Sequence, residues 1–347
     1  MRKVIVFGGC GFIGFHCARR ALVEGSEVHV ADNLSRAGAR VNLADLRALA
    51  DAGGGTLRFH HVDIRSAHEV EAVFRQTRPD LVMHQAAQVA VTLSVSNPRL
   101  DFEINALGTL NILEAMRIHA PEAFLVFSST NKVYGGMEDV AVVEKATRFE
   151  YRDHPQGLDE TRSLDFHSPY GCSKGAADQY VHDYSRIYNL RTAVFRQSCI
   201  YGPNQYGVED QGWVAWFIIA RILERPVTIY GSGKQVRDLL YIDDLLEAYW
   251  KAWQTNASGE VFNMGGGAEN TLSLLELVAM LDPLAPTSLS PAYGAPRPGD
   301  QPVYVANAGK ARRVLGWKPS IHPEVGVPLL LGWVRANSSR IGSVLRA

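Results

Sequence analysis

Short apolar runs alternate with longer amphipathic ones through the first third of the chain. Val4–Phe7 is an apolar run that ends in glycine, and Val28–Ala31 is a second, β-branched one. Leu57–Ile64, Leu81–His84 and Phe124–Phe127 repeat the pattern. Runs this short, bounded by turn residues, predict strands buried on both faces. Phe15–Glu24 and Glu103–His119 instead carry apolar residues at helical spacing, and the first stops at Gly25. Strands alternating with helices predict right-handed βαβ units, hence an α/β fold with a doubly wound parallel Rossmann sheet.

The second half has a different texture. Pro and Gly concentrate in 201–207, 231–234, 265–267 and 283–302, the loops of a smaller C-terminal α/β substrate-binding domain. Thr192–Gln197 and Ile242–Trp253 read as a strand and a helix that return to the main sheet. The predicted division places residues 1–197 and about 236–262 in a dinucleotide-binding domain. Residues 198–235 and 263–347 then form the substrate domain. The polar stretch Gly135–His167 reads as a long excursion from the sheet.

Composition narrows the classes. A chain of 347 residues, 46% hydrophobic and 20% charged, fits two globular domains and excludes disorder and a coiled coil. Thirty-five basic residues against 36 acidic ones give a net charge of -1, with no general pull toward nucleic acid or membrane. The most apolar stretch, Trp213–Leu223, is interrupted by Arg221 and falls short of the roughly 20 residues of a membrane span. The N-terminus lacks the apolar stretch of roughly 7–15 residues of a secretory signal. Cys10, Cys17, Cys172 and Cys199 form no CxxC pair and read as small buried fillers of a cytoplasmic protein. His60 and His61 share a strand with no ligand partners nearby, so no metal site is expected.

Gly8, Gly11 and Gly14 follow the first strand and open the first helix, at GxxGxxG spacing. Glycines there permit a tight turn and let a pyrophosphate approach the helix N-terminus, flanked by Phe12 and Ile13. Asp32 ends the second strand eighteen residues after Gly14 and suits the ribose hydroxyls of NAD rather than a 2′-phosphate. Asn33, Ser35 and Arg36 follow it, and Arg36 leaves NADP open. Asp63, beside Ile64, reads equally as an adenine contact or a helix N-cap. Ligands of such sheets bind beyond the strand carboxyl ends; Ala86, Ala87, Gln88, Ser128 and, in the predicted helix, Asn105 are further expected cofactor contacts.

Tyr170 and Lys174 lie four residues apart, on one face of a helix. A phenol is a poor base at neutral pH, and a nearby ammonium and a positive nicotinamide both favour its phenolate. Such a tyrosine can take a hydroxyl proton while hydride leaves the same carbon. Thr130, at the end of the Phe124–Phe127 strand, can share a hydrogen bond with the reacting hydroxyl.

Together, GGCGFIG, Asp32, SSTNKVYG and YGCSK resemble the extended short-chain dehydrogenase/reductases that act on nucleotide sugars. The resemblance runs over nearly the whole chain and includes GKQVRD at 233–238, YIDD at 241–244 and RPGD at 297–300. It implies that Arg237 and Arg297 clamp a diphosphate and that Asp300 meets the nucleotide ribose. Dehydratases of the family carry an Asp-Glu pair just after the threonine. Asn131 and Lys132 stand there instead, which points to an epimerase. DFEIN at 101–105, HSPYGCSKGAADQY at 167–180 and DQGWV at 210–214 look like the branch that inverts C2 of CDP-sugars.

That branch implies tightly bound NAD, regenerated each turnover, and a CDP-sugar substrate. It also implies a homotetramer or homodimer assembled on Glu103–His119 and Tyr170–Tyr188. Cys199 stands where many members carry a phosphate-binding asparagine. Asn131 and Lys132 read as further substrate contacts, Gln88 and Ser94 as contacts to the sugar or the nicotinamide, and His167 as either a substrate contact or a satisfied loop histidine. Trp213, Trp216 and Phe217 read as core or as a stack for a pyrimidine. A UDP-hexose 4-epimerase is the alternative enzyme, and a non-catalytic NAD-binding regulator the alternative class.

Overall fold

The computed structural model describes residues 1–284, 291–297 and 300–346. In chain order the first elements are β1 (Lys3–Phe7), α1 (Phe12–Val23), β2 (Glu27–Asp32), α2 (Ala39–Asp51), β3 (Thr56–His61), α3 (Ala67–Thr77) and β4 (Leu81–His84). Next come α4 (Val91–Ser96), α5 (Pro98–Phe102), a wide π turn over Glu103–Leu107, α6 (Gly108–His119) and β5 (Phe124–Thr130). A hairpin of β6 (Val142–Glu144) and β7 (Phe149–Tyr151) precedes α7 (Ser168–Ile187), β8 (Arg191–Gln197) and β9 (Cys199–Tyr201). Then follow α8 (Trp213–Ile222), β10 (Thr228–Tyr230), β11 (Val236–Tyr241), α9 (Ile242–Gln254), β12 (Glu260–Met264) and β13 (Thr271–Ser273). The chain ends with α10 (Leu274–Leu281), β14 (Ala292–Gly294), β15 (Val303–Tyr304), α11 (Gly309–Leu315), α12 (Pro323–Ala336) and α13 (Ser338–Val344).

The chain divides into two compact units. The first comprises Met1–Thr130, Ser168–Arg196 and Leu246–Phe262. Its seven-stranded sheet has the order β12-β8-β5-β4-β1-β2-β3, and β1 through β5 pair in parallel. The strand order reverses between β1 and β4, the switch point where such sheets bind ligands. Val4, Ile5, Val6 and Phe7 are all buried, because helices cover both faces. One cluster gathers Phe7, Phe74, Met116, Leu125, Phe127 and Val181 from strands and helices alike.

The second unit comprises Asn131–His167, Gln197–Leu245 and Asn263–Ala347. Its sheet is centred on β11, which runs parallel to β9 and β15 and antiparallel to β13. Residues 131–167 and 236–245, assigned from sequence to the first domain, lie here. The apolar end of β11 suits either sheet, and its pairing decides.

Two further differences from the sequence reading have local causes. Glu103–His119 is not one α-helix: it opens with the π turn over Glu103–Leu107. The extra residue offsets the apolar pattern at the very start of the segment, where too few positions precede it for periodicity to show the offset. Asp63 caps no helix, since α3 takes its N-cap bond at the Ser66 side chain.

Candidate active site

The glycine loop is fixed by steric exclusion. A Cβ on Gly14 would lie 2.1 Å from the Gly8 carbonyl oxygen, so loop and α1 touch backbone to backbone. A Cβ on Gly8, whose φ is +76°, would lie 2.5 Å from the Ala86 nitrogen. The loops after β1 and β4 therefore meet at the switch point. Gly11 is the N-cap of α1 and has no side-chain cap, which leaves the helix end open to an anion. Asp32 is buried, and its carboxylate accepts from the amides of Cys10 at 2.9 Å and Leu34 at 2.7 Å. Burial raises its pKa, opposed by those two bonds. These residues fit a dinucleotide: bare backbone for a pyrophosphate, then a positioned carboxylate for a ribose.

The neighbouring positions are uneven. Asn33 bridges Ser35 and Asp63, whose carboxylate also holds Arg65 at 2.7 Å. Ser35 and Arg36 are exposed, whereas Ile64 is buried. Phe12, Ile13, Ala86 and Ala87 are half-buried. Gln88 and Asn105 are locked backbone to amide: Gln88 N donates to Asn105 Oδ1 at 2.9 Å, and Asn105 Nδ2 returns a bond to Gln88 O at 3.0 Å. The π turn carries Asn105 to that position. Ser94 is fully buried and bonds the Val91 carbonyl in its own helix.

The reactive cluster lies at the start of α7. Pro169 fits the first turn, and Ser168 Oγ accepts from the Gly171 amide at 3.2 Å. Tyr170, Ser173, Lys174, Ala177 and Asp178 form its buried face. Tyr170 and Thr130 are hydrogen-bonded. Lys174 Nζ donates to the Ser128 carbonyl at 2.6 Å and stands 4.3 Å from the centre of the Phe127 ring. The Ser128 hydroxyl bonds Gln85 and, at 2.7 Å, Tyr249 Oη. Burial pushes the Tyr170 phenol up to about 12, against the Thr130 bond. Burial also pulls Lys174 down to about 7, against the fields of Asp178 and Asp101. Burial thus favours the uncharged form of both groups.

Two features of this cluster escaped the sequence reading. Asp178 takes both bonds of the Arg196 guanidinium, at 2.9 and 2.8 Å, and the Ser129 hydroxyl at 2.6 Å, all buried. Asp101 is buried against Ser173. A lone acid on a helix reads as solvated surface, and its partners lie far along the chain. Cys172, expected as filler, is exposed on α7.

In the second unit, Arg237 Nη2 donates to Asp300 at 2.6 Å, and its Nη1 donates to the Gln301 carbonyl at 2.8 Å. Lys132 Nζ lies 3.7 Å from Asp300 and 3.4 Å from Gln301 Oε1. Asn131 Nδ2 donates to the same oxygen at 3.2 Å. Gln301, which the sequence alone does not single out, therefore links both residues after Thr130. Burial lowers Lys132 to about 8, helped by Arg237 and opposed by Asp300. Burial opposes the charge of Asp300, and Arg237, Lys132 and Arg297 outweigh it, so its pKa falls below the usual range. Arg297 pairs with Asp210 at 2.7 Å and stacks 4.1 Å over Tyr230. Pro298 and Gly299 of that motif lie outside the described residues.

Cys199 opens β9 with its thiol pushed up to about 12 by burial. Asp238, beside Arg237, is fully buried and accepts from Ser198 and from the amides of Gly267 and Ala306, the two amides each at 3.1 Å. His167 is exposed. Trp216 and Phe217 are buried in α8, the core side of the two readings. His60 bonds and stacks on His29 rather than facing a cluster. No group of three potential metal ligands occurs among the described residues. No helix among them is long and apolar enough to cross a membrane.

A glycine loop at a switch point of this sheet defines a dinucleotide-binding protein. Residues 4–265 match the model of the NAD dependent epimerase/dehydratase family. The chain is 44% identical to CDP-paratose 2-epimerase of Salmonella typhi, over 95% of this chain and 98% of that one. A UDP-glucose 4-epimerase of Thermotoga maritima, solved with UDP-glucose, superposes with a TM-score of 0.82 at 31% identity, over 96% and 99% of the two chains. The UDP-glucose 4-epimerase of Thermus thermophilus, in complex with NAD, gives a TM-score of 0.79 at 33% identity over the same shares. The chain belongs to the NAD dependent epimerase/dehydratase family. NAD is its cofactor.

Proposed function

We propose that this protein is an epimerase that inverts C2 of a CDP-linked hexose, CDP-paratose to CDP-tyvelose or CDP-glucose to CDP-mannose. The observation that carries the reading is the 44% identity to a CDP-paratose 2-epimerase over 95% of the chain. Asn131 and Lys132 support it, because neither is the acid needed to expel water from a keto sugar.

In this reading the first unit binds NAD, which accepts the C2 hydrogen as hydride and returns it. Gly8, Gly11 and Gly14 take the pyrophosphate, and Asp32 the adenosine ribose. Tyr170 removes the C2 hydroxyl proton, Thr130 orients that hydroxyl, and Lys174 favours the phenolate. The resulting 2-keto sugar turns over, and Tyr170 gives its proton back to the oxygen on the opposite face. The second unit holds the CDP group: Arg237 and Arg297 on the diphosphate, Asp300 on the ribose. Lys132 and Asn131 face the hexose. The protein works in the cytoplasm as a homotetramer or homodimer, with NAD retained through turnover.

Proton NMR of the purified protein in deuterated buffer, without added NAD, tests this. CDP-paratose or CDP-glucose is expected to give the 2-epimer with protium kept at C2. Turnover of UDP-glucose to its 4-epimer, with both CDP-sugars untouched, would overturn the assignment.

A further inference from the structure

We propose that Asp101 is a positioning residue for the Tyr170–Lys174 pair, a buried carboxylate without a cationic partner that sets the charge balance of the reactive groups. The inference rests on the reading of Tyr170 as acid and base.

Asp101 is 1% exposed, near the end of α5. Its Oδ2 accepts from the hydroxyl of Ser173, the residue just before Lys174. Its Oδ1 accepts from Gln88 Nε2 at 2.7 Å and Asn105 Nδ2 at 3.2 Å. Every partner is a donor, the set an ionised carboxylate requires. Among the described residues, no lysine, arginine or histidine pairs with it. Asp178 presents the opposite case on the helix α7, since Arg196 answers its charge with two bonds. A buried charge held only by neutral dipoles acts strongly on its neighbours.

The other charged groups facing the pair are few. Asp178 faces Lys174 from α7, and Arg196 is engaged on Asp178 from β8. From β4, His84 is held far below its usual pKa by burial and is neutral. Asp101 therefore acts on both reactive groups without local compensation. Its field makes Tyr170 harder to ionise and Lys174 harder to discharge, the same direction for both. Removing the charge moves both titrations to lower pH.

The test uses the NAD-loaded protein and the variants Asp101→Asn and Asp101→Ser. Either one suffices if it folds, because both remove the charge. Tyrosinate absorbance is titrated against pH and subtracted from the same background carrying Tyr170→Phe, which isolates Tyr170 without any substrate. The Tyr170 midpoint is expected to fall by about 1 pH unit. Both limbs of the pH–turnover profile are expected to move the same way. Ser173→Ala keeps the carboxylate and should leave the midpoint in place. An unshifted midpoint in the Asp101 variants, or an equal shift in Ser173→Ala, would overturn the role. A shifted midpoint without CDP-sugar turnover would keep Asp101 and discard the substrate. Turnover with an unshifted midpoint would do the reverse.

Discussion

The groups around Tyr170 and those around Arg237 differ in how they hold charge. Tyr170 and Lys174 are buried, bonded to neutral oxygens, and pushed toward their uncharged forms. Arg237, Asp300, Arg297 and Asp210 are partly exposed and already paired; Asp300 is 35% open and Asp210 45%. Exposed ion pairs contribute about 0–1 kcal/mol each, so a ligand can replace them at little cost. Proton transfer needs a dry, tuned environment, whereas a reversible grip needs charges that exchange partners. The proposed function gives the first task to the Tyr170 cluster and the second to the Arg237 cluster.

The largest test of that division is Tyr170→Phe. Loss of the phenol should lower turnover by about 10²–10⁴-fold while the purified protein keeps its NAD. Turnover within tenfold of the parent would remove Tyr170 from the chemistry. Arg196→Met comes next. It leaves Asp178 buried and unpaired, and urea unfolding should show a loss of about 3–5 kcal/mol. Arg237→Met should cost less than about 1 kcal/mol of the same quantity. Equal losses would mean that burial does not separate the two regions.

Arg237→Met should act instead on substrate. Its KM should rise about 10–100-fold, the loss expected of a charge-assisted bond, with kcat nearly unchanged. Added salt should raise the parent KM in the same direction. The smallest effect belongs to Lys132, whose pKa is lowered to about 8. The side chain is cationic below that pH and neutral above it. KM should therefore rise a few-fold, about 2–5 times, as pH passes through 8. Lys132→Arg, which stays charged, should flatten the rise; a profile unchanged by that substitution would exclude Lys132 as its source.

The sequence makes the β1–loop–α1 segment legible because three constraints coincide there: an apolar run, glycines at fixed spacing, and a carboxylate at the end of β2. The Tyr170–Lys174 pair is legible because helical spacing alone puts both on one face. Asp101, Asp178 and Gln301 are not, for a common reason. Each is polar among ordinary neighbours and is met by a partner that local spacing does not reveal: Ser173, Arg196 and Asn131 respectively. The assignment of 236–245 failed differently. Leu239, Leu240 and Tyr241 look like any buried strand, and only the pairing with Cys199, Ile200 and Tyr201 places them.

The π turn at Glu103–Leu107 bears on how this chain tolerates changes of length. An α-helix advances about 100° per residue, so a deletion usually turns an apolar face toward water. Here the turn already holds a surplus residue. Deleting one position from it would let ordinary helical bonding run without interruption from Pro98 to His119. The helix would survive and α6 would keep its packing, while Asn105 would lose its grip on Gln88. At this point in the chain, integrity of the fold and geometry of the site come apart, and a single-residue deletion would separate them.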